Sequence, residues 1–218
     1  MQLPVYNHSG EVVDHIEVSD HVFAVPFNEA VVHQALVSQQ ANARQGTAST
    51  KTRGDVAAST RKLHAQKHTG NARAGSIKSP LRRGGGIVFG PQPRDYRQAL
   101  PKKMRRLAIR CLLSAKARDG ELIAVEELDF VEPKTREMAQ ILSALGVDSS
   151  ALVVIPQPVE NVVKSVRNIP GIKTIPASLL NVVALLNHKK TIMTVEAVRA
   201  VDKLRGEKLV AGVSNATL

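Results

Sequence analysis

Lysine and arginine side chains are concentrated between residues 42 and 90, where they outnumber acids ten to one. Asp55 is the single acid of that stretch. Cationic side chains at this density neutralise phosphate groups, so the stretch indicates contact with a polyanion such as nucleic acid. The ten cations are Arg44, Lys51, Arg53, Arg61, Lys62, Lys67, Arg73, Lys78, Arg82 and Arg83.

The same stretch has little with which to build a core. It holds eight of the fourteen glycines in the chain and few large apolar residues. Neither a helical nor a strand period appears in it, apart from a short apolar run at Ile87–Phe89. Such a segment buries too little apolar surface to offset its ordering entropy, so we predict a long, extended basic loop that orders on its partner.

Two motifs inside the loop have more than one interpretation. His64 and His68 lie four residues apart, a spacing that can chelate zinc on a helix. No third ligand is near and the segment lacks a helical pattern, which favours hydrogen bonding to phosphate or base. Gly84, Gly85 and Gly86 either cradle a phosphate with their backbone N–H groups or form a flexible bend.

Candidates for catalysis are weak. Glu126, Glu127 and Asp129 follow a predicted strand, where open parallel sheets bind ligands, but such a group is more often a solvated loop. No glycine-rich nucleotide motif occurs. The single cysteine, Cys111, lies on an apolar helical face and is expected in the core. We predict no enzyme, no cofactor, no metal site and no small-molecule substrate.

Ordered elements lie on both sides of the loop and decide the fold class. Before it we predict strands at 3–6 and 12–18 and a helix at 28–40. After it a helix at 101–118 is followed by strands that alternate with amphipathic helices. This alternation predicts an α/β fold with three α/β/α layers around a small, mostly parallel sheet. The later strands are predicted at 122–125, 152–155, 172–175 and 191–193, and the helical faces at 138–145, 159–166, 179–186 and 197–204.

The helix at 101–118 carries a second group of cations in its first half, without an acid among them. A basic helix face is usually a solvated surface, but five cations with no counter-charge favour phosphate contact here. They are Lys102, Lys103, Arg105, Arg106 and Arg110.

Charge divides the chain unevenly. Residues 41–106 contain sixteen basic residues and two acids, and because the whole chain carries +11, the remainder is mildly acidic. We predict one α/β domain over 1–218, interrupted by a nucleic-acid-binding loop at 42–90 and followed by a flexible tail at 206–218. No apolar run is long enough to span a membrane and no secretory signal is visible, so a cytoplasmic protein without a membrane partner is expected.

Several specific sequence motifs lie along the basic stretch. They read K-T-R at 51–53, Q-K-H-T-G-N-A-R at 66–73, G-S-I-K-S-P at 75–80, G-G at 85–86, F-G-P at 89–91 and K-K at 102–103. In this order they closely resemble the bacterial form of the large-subunit ribosomal protein family numbered four. The resemblance covers nearly the whole chain. In the loop it consists of many specific motifs, whereas in the α/β part it is only a similarity of pattern.

The resemblance implies a non-catalytic constituent of the large ribosomal subunit that acts in early assembly. Its implied partners are large-subunit ribosomal RNA, neighbouring large-subunit proteins and, at the loop tip, the nascent peptide in the exit tunnel. RNA contacts are implied at Lys51, Arg53, Lys67, Arg73, Lys78 and Ser79, and the tip at Arg61, Lys62, Leu63 and His64. The predicted RNA-binding set also includes the tip residues Arg61 and Lys62, together with Arg44, His68, Arg82, Arg83, Arg94, Lys102, Lys103 and Arg106.

The chain departs from the family pattern at a few positions near the tip. Leu63-His64 replaces a pair of proline and an aromatic residue, and His68 and Asn71 stand where glycine and arginine are common. Two other functions are possible for a basic arm of this kind. One is a nucleic-acid-processing enzyme, which would need clustered acids or a nucleophile near the arm. The other is a regulatory RNA-binding protein that represses its own operon and acts off the ribosome.

Overall fold

The computed structural model describes residues 1–130 and 132–206. The described residues divide into two compact units, one formed by residues 1–40 with those from 99 to 206 and the other by residues 41–98. We call the first the α/β unit and the second the basic unit. The predicted tail at 206–218 lies, apart from Gly206, outside the described residues.

A six-stranded sheet forms the centre of the α/β unit, with strand order β2-β1-β3-β6-β4-β5. Only the pairing of β1 with β2 is antiparallel, and the other four pairings are parallel. The sheet is therefore mostly parallel, as the sequence predicts. The strands are β1 Gln2–Tyr6, β2 Val12–Glu17, β3 Leu122–Val125, β4 Ala151–Ile155, β5 Ile172–Pro176 and β6 Lys190–Thr194.

Helices cover both faces of this sheet. In β4, Leu152 and Val154 belong to one hydrophobic core, and Val153 and Ile155 belong to a second. Consecutive strand residues point to opposite faces, so the two cores lie on opposite sides of the sheet. The first core contains residues of α1, α2, α3, α6 and α7, and the second contains residues of α4 and α5. The predicted three-layer α/β/α arrangement is confirmed. The helices are α1 Asp20–Phe23, α2 Glu29–Ala43, α3 Lys102–Arg118, α4 Thr135–Ala144, α5 Glu160–Arg167, α6 Val182–Asn187 and α7 Val195–Gly206.

Local signals account for several helix ends. The Asn28 side chain accepts a hydrogen bond from the N–H of Val31 at 3.2 Å, and Thr194 Oγ1 accepts one from Ala197 at 3.2 Å. Both are caps that satisfy a free donor in the first turn. Gly120 and Gly146 follow α3 and α4 with φ of 69° and 64°, the left-handed conformation that ends helices. Cys111 is fully buried in the first core, as expected.

The helix predicted at 179–186 is shorter than its apolar pattern suggests. Asn181 accepts a hydrogen bond from the N–H of Ala184 at 2.8 Å, so α6 begins only at Val182. A 3₁₀ turn at Ala177–Leu179 precedes it, and Leu179 is exposed. The four-residue helix α1 is absent from the sequence prediction, because one turn is too short to show a helical period.

In residues 1–130 and 132–206, every helix is too short or too polar to cross a bilayer.

Candidate nucleic-acid interface

The basic unit is built almost without a buried core. Gly86 is the only buried residue among residues 41–98, all of which the structure describes. Backbone hydrogen bonds therefore hold this unit together in place of apolar packing. An isolated antiparallel bridge between Lys62 and Ser76 is the only strand-like pairing in it.

Three backbone hydrogen bonds bring the outgoing and returning chain of the basic unit together. The N–H of Thr50 donates to the carbonyl of Pro91 at 3.0 Å, and the N–H of Ile87 donates to the carbonyl of Lys51 at 2.9 Å. The N–H of Arg94 donates to the carbonyl of Gly46 at 3.2 Å. These three bonds join residues that are between 36 and 48 positions apart in sequence.

The glycine run at 84–86 serves close backbone packing. A Cβ on Gly85 would lie 1.9 Å from the carbonyl oxygen of Ser79, and one on Gly86 would lie 2.2 Å from the backbone nitrogen of Arg53. The N–H groups of Gly85 and Gly86 already donate to Arg82 and Lys78. These two glycines therefore form neither a phosphate cradle nor a flexible bend. Their N–H groups donate to carbonyls within the unit, and their lack of a side chain lets the backbone pack closely.

Substituting Gly86 with alanine should therefore loosen the basic unit. The new methyl group would clash with the backbone of residues 52 and 53, which cannot move as a flexible side chain can. We expect faster amide hydrogen exchange at Ile87 in Gly86→Ala, with the melting temperature of the α/β unit unchanged. Gly54→Ala is the matched control, because the nearest atom to its Cβ is Thr52 Oγ1 at 3.7 Å. Equal exchange in both variants would contradict this role for Gly86.

The residues predicted for the loop tip lie at the start of a small hairpin. Leu63 donates its N–H to the carbonyl of Gly75 at 3.1 Å, and the His64 ring donates to the carbonyl of Ala72 at 3.0 Å. The chain reverses between these contacts, where His68 has a φ of 65°. That conformation favours glycine, which is the residue that the family resemblance leads us to expect at this position. His64 is committed to the hairpin, and His68 is exposed.

A tyrosine that sequence reasoning missed organises two predicted RNA-binding arginines. The guanidinium carbons of Arg44 and Arg94 lie 3.9 Å and 4.3 Å from the centroid of the Tyr96 ring. A Cβ on Gly46 would meet this ring at 2.9 Å. A hydrogen bond from Arg94 and the nearby positive charges lower the pKa of Tyr96. Cation–π contact holds both side chains in place while they stay exposed to solvent.

The positive charges of the basic unit, whose residues 41–98 are all described, form no ion pairs within it. Within residues 41–98, all described, no lysine or arginine forms an ion pair with a described carboxylate. Asp55 is occupied by Thr52, whose hydroxyl and backbone N–H donate to it at 2.5 Å and 3.0 Å and lower its pKa. The charges of these cations are therefore available to an external anion. Lys78 is half-buried, as is Ser79, and the other predicted lysine and arginine side chains of the unit are exposed: Arg44, Lys51, Arg53, Arg61, Lys62, Lys67, Arg73, Arg82, Arg83 and Arg94.

The basic residues of α3 differ in their exposure: those in the first turn lie at the surface, and Arg110 is bonded within the fold. Lys102 and Lys103 are exposed in the first turn of α3, and Arg106 is half-buried. Arg110 instead donates to His21 Nε2 at 2.9 Å and to the carbonyl of Arg205, and burial lowers its pKa. It is tied into the fold, so the phosphate-contacting face suggested by the sequence is limited to the beginning of the helix.

An acidic cavity of about 560 Å³ lies at the carboxyl ends of the parallel strands in the α/β unit. Its lining includes Glu126, Glu127, Asp14, Glu17 and Glu196, whose negative charge would repel nucleic acid. In the described residues no group of three or more histidine, cysteine or acidic side chains is placed to hold a metal ion. This cavity therefore lacks the features that would make the α/β unit the nucleic-acid-binding part.

Exposed apolar side chains are the second feature that sequence reasoning did not assign. Phe89 and Leu81 are 98% and 94% exposed, the highest values among the large apolar residues that the structure describes. Both lie in the basic unit beside arginines or glycines. Their exposure depends on the turns around them, which local sequence patterns do not report.

Comparison with known proteins decides the family. The profile of the ribosomal protein L4/L1 family matches residues 16–204. The chain belongs to the ribosomal protein L4/L1 family. The family resemblance inferred from the loop motifs is thereby confirmed.

Three relatives of this chain match nearly its whole length. A protein of Dehalococcoides mccartyi is 59% identical over 208 residues, which cover 95% of this chain and 99% of the relative. Proteins of Thermoanaerobacter sp. and Carboxydothermus hydrogenoformans are 49% and 48% identical, each over 93% of this chain and 98% of the relative. All three are named large ribosomal subunit protein uL4.

Proposed function

We propose that this chain is a structural constituent of the large ribosomal subunit and binds large-subunit ribosomal RNA through the basic unit. It is not an enzyme and needs no cofactor. Its other partners are neighbouring large-subunit proteins, and its place is the bacterial ribosome in the cytoplasm. Family membership and the names of the relatives support the ribosomal role.

The observation that carries the RNA-binding proposal is the unpaired charge of the basic unit. Twelve lysine and arginine residues stand against two acids in residues 41–98. Their side chains have no ion pairs with described carboxylates, and only Gly86 is buried. A unit of this kind gains most from an outside polyanion, because phosphate neutralises its self-repulsion and releases counterions. Folded RNA also suits a glycine-rich backbone that approaches closely, since such RNA is read largely by shape.

Sedimentation of a tagged chain tests the ribosomal assignment. The protein should co-sediment with purified large subunits and stay bound after a high-salt wash that removes loosely attached factors. A regulatory protein acting off the ribosome would be found in the light fractions instead. Recovery of the chain only in those fractions would refute the structural role.

The finer proposal concerns the exit tunnel. We place Arg61, Lys62, Leu63 and His64 beside the nascent peptide, as the family resemblance implies. A tunnel wall should not retain passing peptides, and Leu63 is the only large apolar residue between Ala57 and Thr69. Cations at this point set the local potential of the passage.

Charge reversal at the tip should separate assembly from tunnel function. In Arg61→Glu and Lys62→Glu strains we expect normal yields of large subunits, because these side chains face the peptide and are not the main RNA anchors. Peptide-dependent stalling, or sensitivity to tunnel-blocking antibiotics, should change in the same strains. Arg53→Glu is the control that should lower subunit yield. Loss of assembly in the tip variants without a selective tunnel effect would show that the tip is an ordinary RNA anchor.

A further inference from the structure

An open surface cavity of about 580 Å³ lies on the basic unit, between residues 73 and 83. Three arginines line it together with Ser79 and two apolar side chains, Ile77 and Leu81. Its volume is in the range of about 300–1,000 Å³ that is usual for small-ligand sites. Its chemistry is mixed, since cations and apolar groups share one wall. The arginines are Arg73, Arg82 and Arg83.

Consecutive turns give the cavity a defined frame. Ser79 donates its N–H to Ser76 at 3.2 Å, Arg82 donates to Ser79 at 3.1 Å, and Gly85 donates to Arg82 at 3.0 Å. Gly85 packs so closely on the carbonyl of Ser79 that no side chain fits there. The backbone that carries Leu81 and Arg82 is thus fixed by three successive hydrogen bonds.

The charge of the cavity calls for an anion. No acidic residue lines it, and none of its three arginines forms an ion pair with a described carboxylate. Guanidinium groups bind phosphate with paired N–H donors, and several together match the negative charge of one phosphodiester and its neighbours. A phosphate alone, however, would make no favourable contact with the apolar side chains of the cavity wall.

The apolar side chains favour contact with a flat, uncharged group beside the anion. Leu81 is 94% exposed and Ile77 is 43% exposed, so both would lose unfavourable contact with water on covering. A nucleotide offers both components, a phosphate and an apolar base face. The unit around the cavity carries twelve cations and two acids, which favours RNA over an acidic peptide as the occupant.

We infer that this cavity receives one unstacked nucleotide of the bound RNA. Its phosphate lies against Arg73, Arg82 and Arg83, and its base covers Ile77 and Leu81. Single-stranded loops and bulges supply such splayed nucleotides in folded RNA. The inference rests on the proposed RNA-binding function and adds a site that holds a base as well as phosphates.

Three variants of the full chain, bound to a large-subunit rRNA transcript over a range of salt, test this site. Leu81→Ser should lower the affinity about tenfold at every salt concentration, because it removes an apolar contact and no charge. Arg82→Gln should reduce the slope of log affinity against log salt by about 0.7–0.9. Val88→Ser is the matched control, because Val88 is 61% exposed in the same unit but does not line the cavity. It should leave both quantities unchanged.

Base-specific chemical probing of the same complexes gives a second readout. One nucleotide should change its reactivity on binding the wild-type chain, and that change should be lost in Leu81→Ser but kept in Val88→Ser. If Leu81→Ser binds like Val88→Ser and no single base responds, the nucleotide site is refuted while RNA binding stands. If the wild-type chain does not bind the transcript at all, the proposed function itself fails.

Discussion

The affinity of the full chain for large-subunit rRNA should fall by a factor between about 250 and 300,000 when salt rises from about 50 to 200 mM. The ten cations of residues 42–90 are the reason. If half to all of them meet phosphates, the slope of log affinity against log salt is roughly −4 to −9. The absence of internal ion pairs in this unit means that few of these charges are already neutralised. Filter binding or fluorescence anisotropy over a salt series measures the slope.

Charge-reversal variants identify the source of that slope. Arg53→Glu, Lys67→Glu, Arg73→Glu and Lys78→Glu should each weaken binding and make the slope shallower. Glu126→Lys and Glu127→Lys are the controls, since these acids line the cavity of the α/β unit and are not expected at the RNA. A flat salt dependence, or equal losses in both sets of variants, would mean that the basic unit is not the main RNA-binding element.

Replacing most of the basic unit should remove most of the RNA affinity and leave the α/β unit folded. Both hydrophobic cores lie entirely outside residues 41–98. The chain can be shortened at the hydrogen bond of 3.0 Å between the N–H of Thr50 and the carbonyl of Pro91, by replacing residues 51–90 with two glycines. We expect a cooperative thermal transition within about 4 °C of the wild-type value. A shorter loop also loses less entropy when its ends are brought together, which stabilises the folded state slightly.

A core variant calibrates this melting experiment. Leu113 is fully buried in the first core, so Leu113→Ala in the full chain should cost about 3 kcal/mol of unfolding free energy. It should retain the salt-dependent RNA affinity at temperatures where it is folded. If the shortened chain loses its cooperative transition while Leu113→Ala keeps one, the two units are not independent in stability.

The sheet and most helices could be predicted from the sequence, because their apolar periods are strong and their ends carry local signals. The strand 122–125 coincides with β3, and the caps at Asn28 and Thr194 are present. The helix predicted at 179–186 was wrong at its start, because an internal asparagine at 181 competes as an N-cap with the apolar spacing around it. The same signal, an asparagine before the valine pair, could have corrected it.

The candidate interface was predictable in composition but not in geometry. Charge and glycine content alone pointed to the stretch that contains Arg53 and Arg73. The contact between Gly86 and the backbone of Arg53, and the stacking of Arg44 on Tyr96, join residues far apart in sequence. No periodic pattern reports such contacts, so the roles of these glycines and of Tyr96 required the structure.

Cross-linking of the chain to RNA in purified large subunits tests the central claim most directly. After ultraviolet irradiation and digestion, mass spectrometry would locate each peptide that carries a nucleotide. We predict that cross-linked peptides come mainly from residues 41–98 and the first turn of α3, with none from the acidic cavity around Glu126. Cross-links confined to the rest of the α/β unit, with residues 41–98 free of RNA, would contradict the claim that the basic unit binds ribosomal RNA.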